Sequence, residues 1–131
     1  MDAEASREQP GTDEERRGLL MVGISNAMVH LYKELFGRGP TKARTSYAGP
    51  DLLVTTLESS LTRIEHTMAN AGEHERLRDL RMHFQYLGED DFVETVERIT
   101  GRKVRAFVSG MDTRRDVASE LFYLEPEQAA S

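Results

Sequence analysis

Three cations, Arg38, Lys42 and Arg44, lie within seven residues in the stretch FGRGPTKAR at 36–44. Guanidinium and ammonium groups bind carboxylates and phosphates through charge-assisted hydrogen bonds. Gly39 and Pro40 belong to the part of this stretch that has no counterpart after Gly101-Arg102, the second Gly-Arg pair of the chain. The pattern predicts a ligand-binding site at Arg38, Gly39, Lys42 and Arg44 for an anionic ligand or an acidic protein surface.

The same stretch is a poor phosphate loop. It lacks the Walker A spacing, and it follows a predicted helix, whose C-terminal dipole repels anions. Backbone amides that hold phosphate normally belong to a helix N-terminus, so an anion here would be held by the cationic side chains alone. The alternative interpretation is a helix stop followed by a strand face in solvent, and the sequence leaves both open.

Catalytic and metal-binding patterns are weak in this chain. There are no cysteines, which excludes a thiolate nucleophile and a cysteine-based zinc site. His74-Glu75 begins like a zincin helix, but position 78 is Arg where that motif needs His. No Ser/His/Asp grouping has a strand-turn-helix context. The sequence predicts no catalytic residue, no metal and no cofactor, and leaves enzyme activity unsupported.

Composition limits the classes of partner. The 131 residues carry a net charge of −6, which argues against a nucleic-acid partner held by bulk charge. The longest apolar run, 19–24, is far shorter than the ~20 residues that span a bilayer. The polar, acidic first residues do not resemble a signal peptide. We expect a cytoplasmic protein with no direct membrane insertion.

Hydrophobic spacing predicts the order α-β-β-α-α-β-β. Thr12 or Asp13 begins the first helix and Gly37 ends it. Thr62 and Glu65 have capping-box spacing and begin the second helix. A long third helix, with a bend or break near 88–91, carries an apolar face of Leu77, Leu80, Phe84 and Leu87. The expected ranges are helices at 13–36, 62–71 and 73–100, and strands at 41–47, 52–58, 103–108 and 117–124, with a loop at 109–116.

These elements predict a two-layer α+β domain over 13–125, between disordered tails at 1–12 and 126–131. Two hairpins form one four-stranded, mainly antiparallel sheet with helices packed on one face. Gly37-Arg38 and Gly101-Arg102 both precede a hairpin, which suggests a structural repeat. Four sheet aromatics, Tyr47, Phe107, Phe122 and Tyr123, cannot all point to one face, which favours a second buried surface and hence a homodimer.

The run Ile24-Ser25-Asn26-Ala27-Met28-Val29, followed by GRGPTKAR and Thr100-Gly101-Arg102-Lys103-Val104, resembles the MpsC family of small bacterial proteins. That family is named for a sodium-translocating, membrane-potential-generating system, and the resemblance covers about 18–125. The resemblance implies a soluble accessory or regulatory protein linked to that system or to inorganic-ion uptake, with a membrane transporter complex as partner. The acidic protein partner is implied by the cations and not by the resemblance. The alternatives are a small enzyme acting on a phosphorylated or carboxylated metabolite, and a purely structural assembly module.

Overall fold

A computed structural model describes residues 11–127. Within this range the chain forms four helices and four strands, in the order α-β-β-α-α-α-β-β. The helix predicted at 73–100 is two helices, which meet at Gly88. The element bounds are α1 Asp13–Phe36, β1 Lys42–Tyr47, β2 Leu52–Glu58, α2 Arg63–Asn70, α3 His74–Leu87, α4 Glu89–Thr100, β3 Val104–Asp112 and β4 Val117–Leu124.

The four strands form one antiparallel sheet in the order β1-β2-β4-β3. Buried side chains alternate along the strands, with Leu53 and Leu57 in β2 and Phe107 in β3 on the covered face. They join Ile24, Met28 and Tyr32 of α1 in one core, so the helices cover a single face. The predicted α+β fold is confirmed. The predicted tails at 1–12 and 126–131 lie mostly outside the described residues.

Local capping signals explain where the helices begin and end. Thr12 Oγ1 accepts a hydrogen bond from Glu15 N at 3.0 Å. Thr62 and Glu65 form a complete capping box, as predicted. Both α1 and α4 end at glycines in the left-handed region, Gly37 with φ 81° and Gly101 with φ 71°.

The buried face of α3 differs from the predicted one. Leu77 is buried as expected, but Arg81 and Gln85 are also fully buried, one and two turns further along. Leu80 is 40% exposed and Leu87 is 62% exposed. The apolar pattern was misleading because the two polar side chains have buried hydrogen-bond partners, which offset their desolvation.

The last hairpin also differs from the prediction. β3 continues to Asp112, so the predicted loop 109–116 is only a turn at 113–116. A β-bulge lies between Val104 and Ala106. Ser109 is a buried strand residue because its hydroxyl bonds inward, as described below. Tyr123 alternates with Phe122 and therefore lies on the opposite, uncovered face of the sheet.

The two hairpins are related by an approximate twofold arrangement. Each follows a helix that ends in Gly-Arg, and each pairs its second strand with the other at the centre of the sheet. Arg38 Nη1 donates to Leu61 O, just after β2, at 2.9 Å, and Arg102 Nη2 donates to Glu125 O, just after β4, at 2.8 Å. Thr45 of β1 and Ser109 of β3 occupy equivalent places on the two edge strands, opposite Thr55 and Glu120 respectively.

Candidate functional site

The predicted cations lie at and beside β1. Lys42 and Arg44 are exposed and alternate with Ala43 and Thr45, so they point to the uncovered face of the sheet. Lys42 Nζ is 3.8 Å from Glu58 Oε2 on the neighbouring strand. Arg38 is exposed in the preceding loop and is tied to the Leu61 carbonyl. An anion site formed by these cations remains a prediction.

Gly39 allows the loop before β1 to pass close to α1. A Cβ atom at this position would lie 3.0 Å from Val29 O and 3.2 Å from Val29 Cγ1. Such distances are too short for a side chain, so only glycine fits without a shift of the helix or the loop. Gly39 therefore places β1 against α1, and with it the cations of that strand.

A groove of about 440 Å³ lies between α1 and β1. Its lining is mixed: apolar and amide side chains come from the helix, and hydroxyl and cationic side chains come from the strand. Arg44 is the charged residue of the lining, which includes no carboxylate and no histidine. The lining residues are Met21, Val22, Ser25, Asn26, Ala43, Arg44, Thr45 and Ser46.

Within residues 11–127, β1 presents unpaired backbone groups beside this groove. Ala48 N donates to Leu52 O at 2.8 Å, which marks one hydrogen-bonded pair at the end of the β1–β2 ladder. Since such pairs alternate along an antiparallel ladder, Arg44 and Ser46 bond to β2. The N–H and C=O groups of Ala43, Thr45 and Tyr47 point outward, away from the sheet.

The opposite edge is partly capped. By the same alternation the backbone of Ser109 points outward from β3, and its N–H donates to Tyr86 Oη at 3.0 Å. Tyr86 comes from α3, and its ring packs edge-on against Phe107 with the centroids 5.7 Å apart. At the equivalent place on β1, the N–H of Thr45 has no hydrogen-bond partner among residues 11–127.

A row of hydroxyl groups leads from the groove into the interior. Ser25 Oγ and Thr45 Oγ1 are 2.8 Å apart, and Thr45 Oγ1 and Thr55 Oγ1 are 2.9 Å apart. Thr55 is fully buried and faces Glu120 across the two central strands. Polar side chains thus occupy one rung of all four strands, on the face that the helices cover: Thr45, Thr55, Glu120 and Ser109.

Glu120 is a fully buried carboxyl group. Its Oε1 accepts hydrogen bonds from Tyr32 Oη at 2.6 Å, Ser109 Oγ at 2.8 Å and Gln85 Nε2 at 3.2 Å. Burial raises the pKa of Glu120 to about 7, although these three hydrogen bonds lower it. Burial and the neighbouring Glu120 also raise the pKa of Tyr32 well above its usual value. Because Glu120 is 0% exposed, a bound ligand does not reach it in this conformation.

A second buried cluster fixes the segment that Arg38 contacts. Arg81 is 0% exposed, and its Nε and Nη2 donate to Glu65 Oε2 and Oε1 at 2.6 and 2.7 Å. Nη2 also donates to Ser60 O at 2.7 Å, and the guanidinium carbon lies 3.7 Å from the Phe36 ring centroid. Burial raises the pKa of Glu65, but the hydrogen bonds from Arg81 and Thr62 outweigh it and leave the pKa lowered.

The last turn is tied to this segment by Asp116. Its Oδ1 accepts from Ser60 N at 2.9 Å and from Leu61 N at 3.2 Å, and its backbone is left-handed with φ 55°. His74 Nδ1 lies 3.2 Å from Thr113 Oγ1, which joins the start of α3 to the same turn. The turn at 113–116, part of the predicted loop, is therefore held from two sides.

The buried polar residues were not predicted from the sequence. A signal was present for Glu120, which has the same two-residue spacing as Ala118 and Phe122 and therefore shares the apolar face of its strand. A carboxyl group on an apolar strand face indicates a buried partner. Arg81 and Gln85 follow Leu77 at four-residue spacing, but nothing in their neighbourhood distinguishes them from solvent-facing residues.

Within residues 11–127, no group of three or more His, Asp or Glu side chains is placed to hold a metal ion. The helices in that range include none long and apolar enough to cross a membrane. The predicted anion site at Arg38, Gly39, Lys42 and Arg44 therefore includes no such metal-binding group and no such helix.

Comparison with known proteins gives a family. Residues 16–126 match the family described as "MpsC: Na+-translocating membrane potential-generating system (MpsC)". Comparison with curated proteins and with solved structures found no match. Because the matched segment spans most of the chain, including all of β1 and the groove, the protein belongs to the MpsC family.

Proposed function

We propose that this chain is a cytoplasmic accessory or regulatory protein of the Na⁺-translocating, membrane-potential-generating system after which its family is named. It acts by binding an anionic ligand or an acidic protein surface at β1. The observation that carries the proposal is the pairing of exposed Lys42 and Arg44 with an open groove along the same strand. These cations create a local positive surface on a chain of net charge −6.

The chemistry of the groove supports binding over catalysis. A small enzyme acting on a phosphorylated or carboxylated metabolite needs a titratable group within reach of the substrate. The groove lining has hydroxyl, amide and apolar groups beside Arg44, but no acid or histidine. Glu120, the buried carboxyl group with a pKa of about 7, is separated from the groove by Thr45 and Thr55.

Binding can be tested with inorganic phosphate and polyglutamate in thermal-shift and fluorescence assays. A ligand that binds the native state raises the melting temperature in a concentration-dependent way. We expect polyglutamate to bind, with an affinity that falls steeply as salt is added. In the variant Lys42→Glu/Arg44→Glu this affinity should be at least tenfold lower.

The matched control is Arg78→Glu/Arg98→Glu, which reverses the charge of two exposed arginines on α3 and α4 and so changes the net charge by the same amount. It should leave binding nearly unchanged. Equal losses in both variants would show attraction by overall charge only, and no binding to wild type would refute an anionic partner.

We also propose that the chain is a homodimer through the uncovered face of the sheet. Val54, Leu121 and Val108 lie side by side across three strands on that face. Leu52, Tyr123 and Ala106 form the next rung. Val108 is 42% exposed, and a row of apolar side chains in solvent is typical of an interface.

Light scattering after size-exclusion chromatography tests this assembly. Wild type should have twice the 14.8 kDa mass of one chain at micromolar concentration. Val108→Lys should shift the mass toward the monomer, because it places a charge in the apolar row. Val22→Lys, at a 57% exposed position on α1, is the control. A monomeric wild type would exclude the dimer.

A further inference from the structure

The free edge of β1 offers a regular row of hydrogen-bonding groups. The outward N–H and C=O groups belong to Ala43, Thr45 and Tyr47, at every second residue, which is the spacing of an antiparallel ladder. Unpaired strand edges are templates for an added strand, and native proteins usually protect them. Such protection is visible at β3, where Tyr86 Oη accepts a hydrogen bond from the N–H of Ser109.

The surroundings of β1 fit an added strand in side-chain terms as well. Successive side chains of a strand point to opposite faces. On one face an incoming chain would meet the groove under α1, with Met21, Val22 and Ser25. On the other face it would meet the side chains of Lys42 and Arg44, which lie on either side of Ala43 in the first half of the strand.

Charge then decides the composition of the incoming segment. Acidic residues at alternate positions would lie beside Lys42 and Arg44, and small or apolar residues would enter the groove. Lys42 is only loosely paired with Glu58, at 3.8 Å and with both side chains about half exposed. It can therefore turn to a new carboxylate at little cost.

We infer that the partner of this protein contributes an extended acidic segment, which adds to the edge of β1 as a fifth strand within the α1–β1 groove. This inference rests on the proposed binding function and specifies its mode. Main-chain hydrogen bonds supply affinity, and the two faces of the added strand supply selectivity.

The test uses a fluorescein-labelled peptide, Thr-Glu-Val-Glu-Val-Glu-Thr, and two N-methylated versions that block alternate amides in the two possible registers. Fluorescence polarisation with the full chain should show binding of the parent peptide. One methylated version should bind at least tenfold more weakly, whereas the other should bind nearly as well, because only one set of amides faces β1.

Two further measurements concern the protein. Ala43→Pro removes an outward N–H but no bond to β2, and proline is tolerated on edge strands at such positions. It should weaken binding of the parent peptide at least tenfold, to the level of the more weakly binding methylated peptide. If this variant does not fold, amide exchange in wild type decides: peptide should slow exchange of the Thr45 N–H at least tenfold.

The outcomes separate this inference from the proposed function. Equal binding of both methylated peptides, with no protection of Thr45, would overturn strand addition and leave binding by the cations alone. Binding of polyglutamate without binding of the peptide would do the same. If the peptide, polyglutamate and phosphate all fail to bind, both strand addition and the proposed binding function are overturned. Lys42 and Arg44 would then serve to prevent edge-to-edge association of the sheet.

Discussion

Tyr32 and Glu120 join the first helix to the last strand through a buried hydrogen bond of 2.6 Å between Tyr32 Oη and Glu120 Oε1. Ser109 and Gln85 donate to the same oxygen. The other oxygen, Oε2, has no hydrogen-bond partner among residues 11–127, and neither has Gln85 Oε1. The three donors on Oε1 favour the ionised carboxylate, whereas burial of the whole group, with Oε2 unpartnered, favours the protonated form and has the larger effect.

Glu120 makes stability depend on pH with a definite sign. Burial raises its pKa to about 7 from 4.5, so between these values the folded state keeps a proton that the unfolded state has lost. Its contribution to the free energy of unfolding is full below pH 4.5 and is lost as pH rises through 7. The slope is at most about 1.4 kcal/mol per pH unit. Glu120→Gln, which keeps an acceptor for Tyr32, should remove this loss.

Urea unfolding followed by circular dichroism from pH 5 to 8.5 measures the effect. The variant should gain on wild type with increasing pH, since only wild type ionises a buried group. Glu58→Gln, on the uncovered face of the sheet, controls for the loss of a carboxylate. A constant difference between Glu120→Gln and wild type across this range would show that Glu120 does not titrate there.

Local signals in the sequence predicted much of the fold. The capping box at Thr62 and the glycine stops at Gly37 and Gly101 depend on neighbours within four residues, so the sequence contains the whole interaction. The alternation of Ala43, Thr45 and Tyr47 with Lys42, Arg44 and Ser46 likewise puts the two sets on opposite faces of β1. Arg38, Gly39, Lys42 and Arg44 could be proposed as site residues from their types alone.

The polar interior could not be predicted in this way. Arg81 pairs with Glu65 sixteen residues away, and Tyr32 pairs with Glu120 across 88 residues. Hydropathy assigns such residues to solvent until their partners are known. Ser109 was placed in a loop because its neighbours Gly110 and Asp112 are turn formers, whereas Gln85 and Glu120 hold it inside.

Arg81 should be among the least tolerant positions to substitution. Arg81→Leu leaves the Glu65 carboxylate in a site that is 5% exposed without its cation. We expect a loss of about 3–5 kcal/mol in the free energy of unfolding, since breaking a buried pair strands the other charge. The exposed Arg78→Leu should change stability by about 0.5 kcal/mol or less.

Removal of the unpaired Glu65 charge should restore part of the lost free energy of unfolding. Glu65→Gln in the Arg81→Leu background leaves no buried ion, and glutamine still supports a capping box with Thr62. Chemical denaturation of the four proteins completes a double-mutant cycle. If the double variant were no more stable than Arg81→Leu, lost packing rather than the unpaired carboxylate would account for the cost.

Substitution of Gly39 should lower the stability of the fold. Gly39→Ala brings a Cβ atom to 3.0 Å from Val29 O, and the forced shift should lower the free energy of unfolding by about 1–3 kcal/mol. Gly23→Ala is the matched control within α1, because nothing lies within 4 Å of its added Cβ. That variant should gain up to about 1 kcal/mol from helix propensity. Thermal unfolding of both variants checks the contrast, which would fail if their melting temperatures moved together.

Tyr86 should determine the difference between the two edges of the sheet. Tyr86→Phe keeps the ring contact with Phe107 but removes the acceptor for Ser109 N, so that β3 gains a free amide at the place equivalent to Thr45 in β1. We expect hydrogen exchange of the Ser109 amide to accelerate about tenfold, because one hydrogen bond contributes about 0.5–1.5 kcal/mol. Tyr123→Phe, on the uncovered face, should leave that exchange unchanged. Slow exchange at Ser109 in Tyr86→Phe would mean that burial alone protects the β3 edge. The Thr45 amide, which lies beside the groove, would then differ from the Ser109 amide in its exposure to solvent and not in the absence of a side-chain acceptor such as Tyr86 Oη.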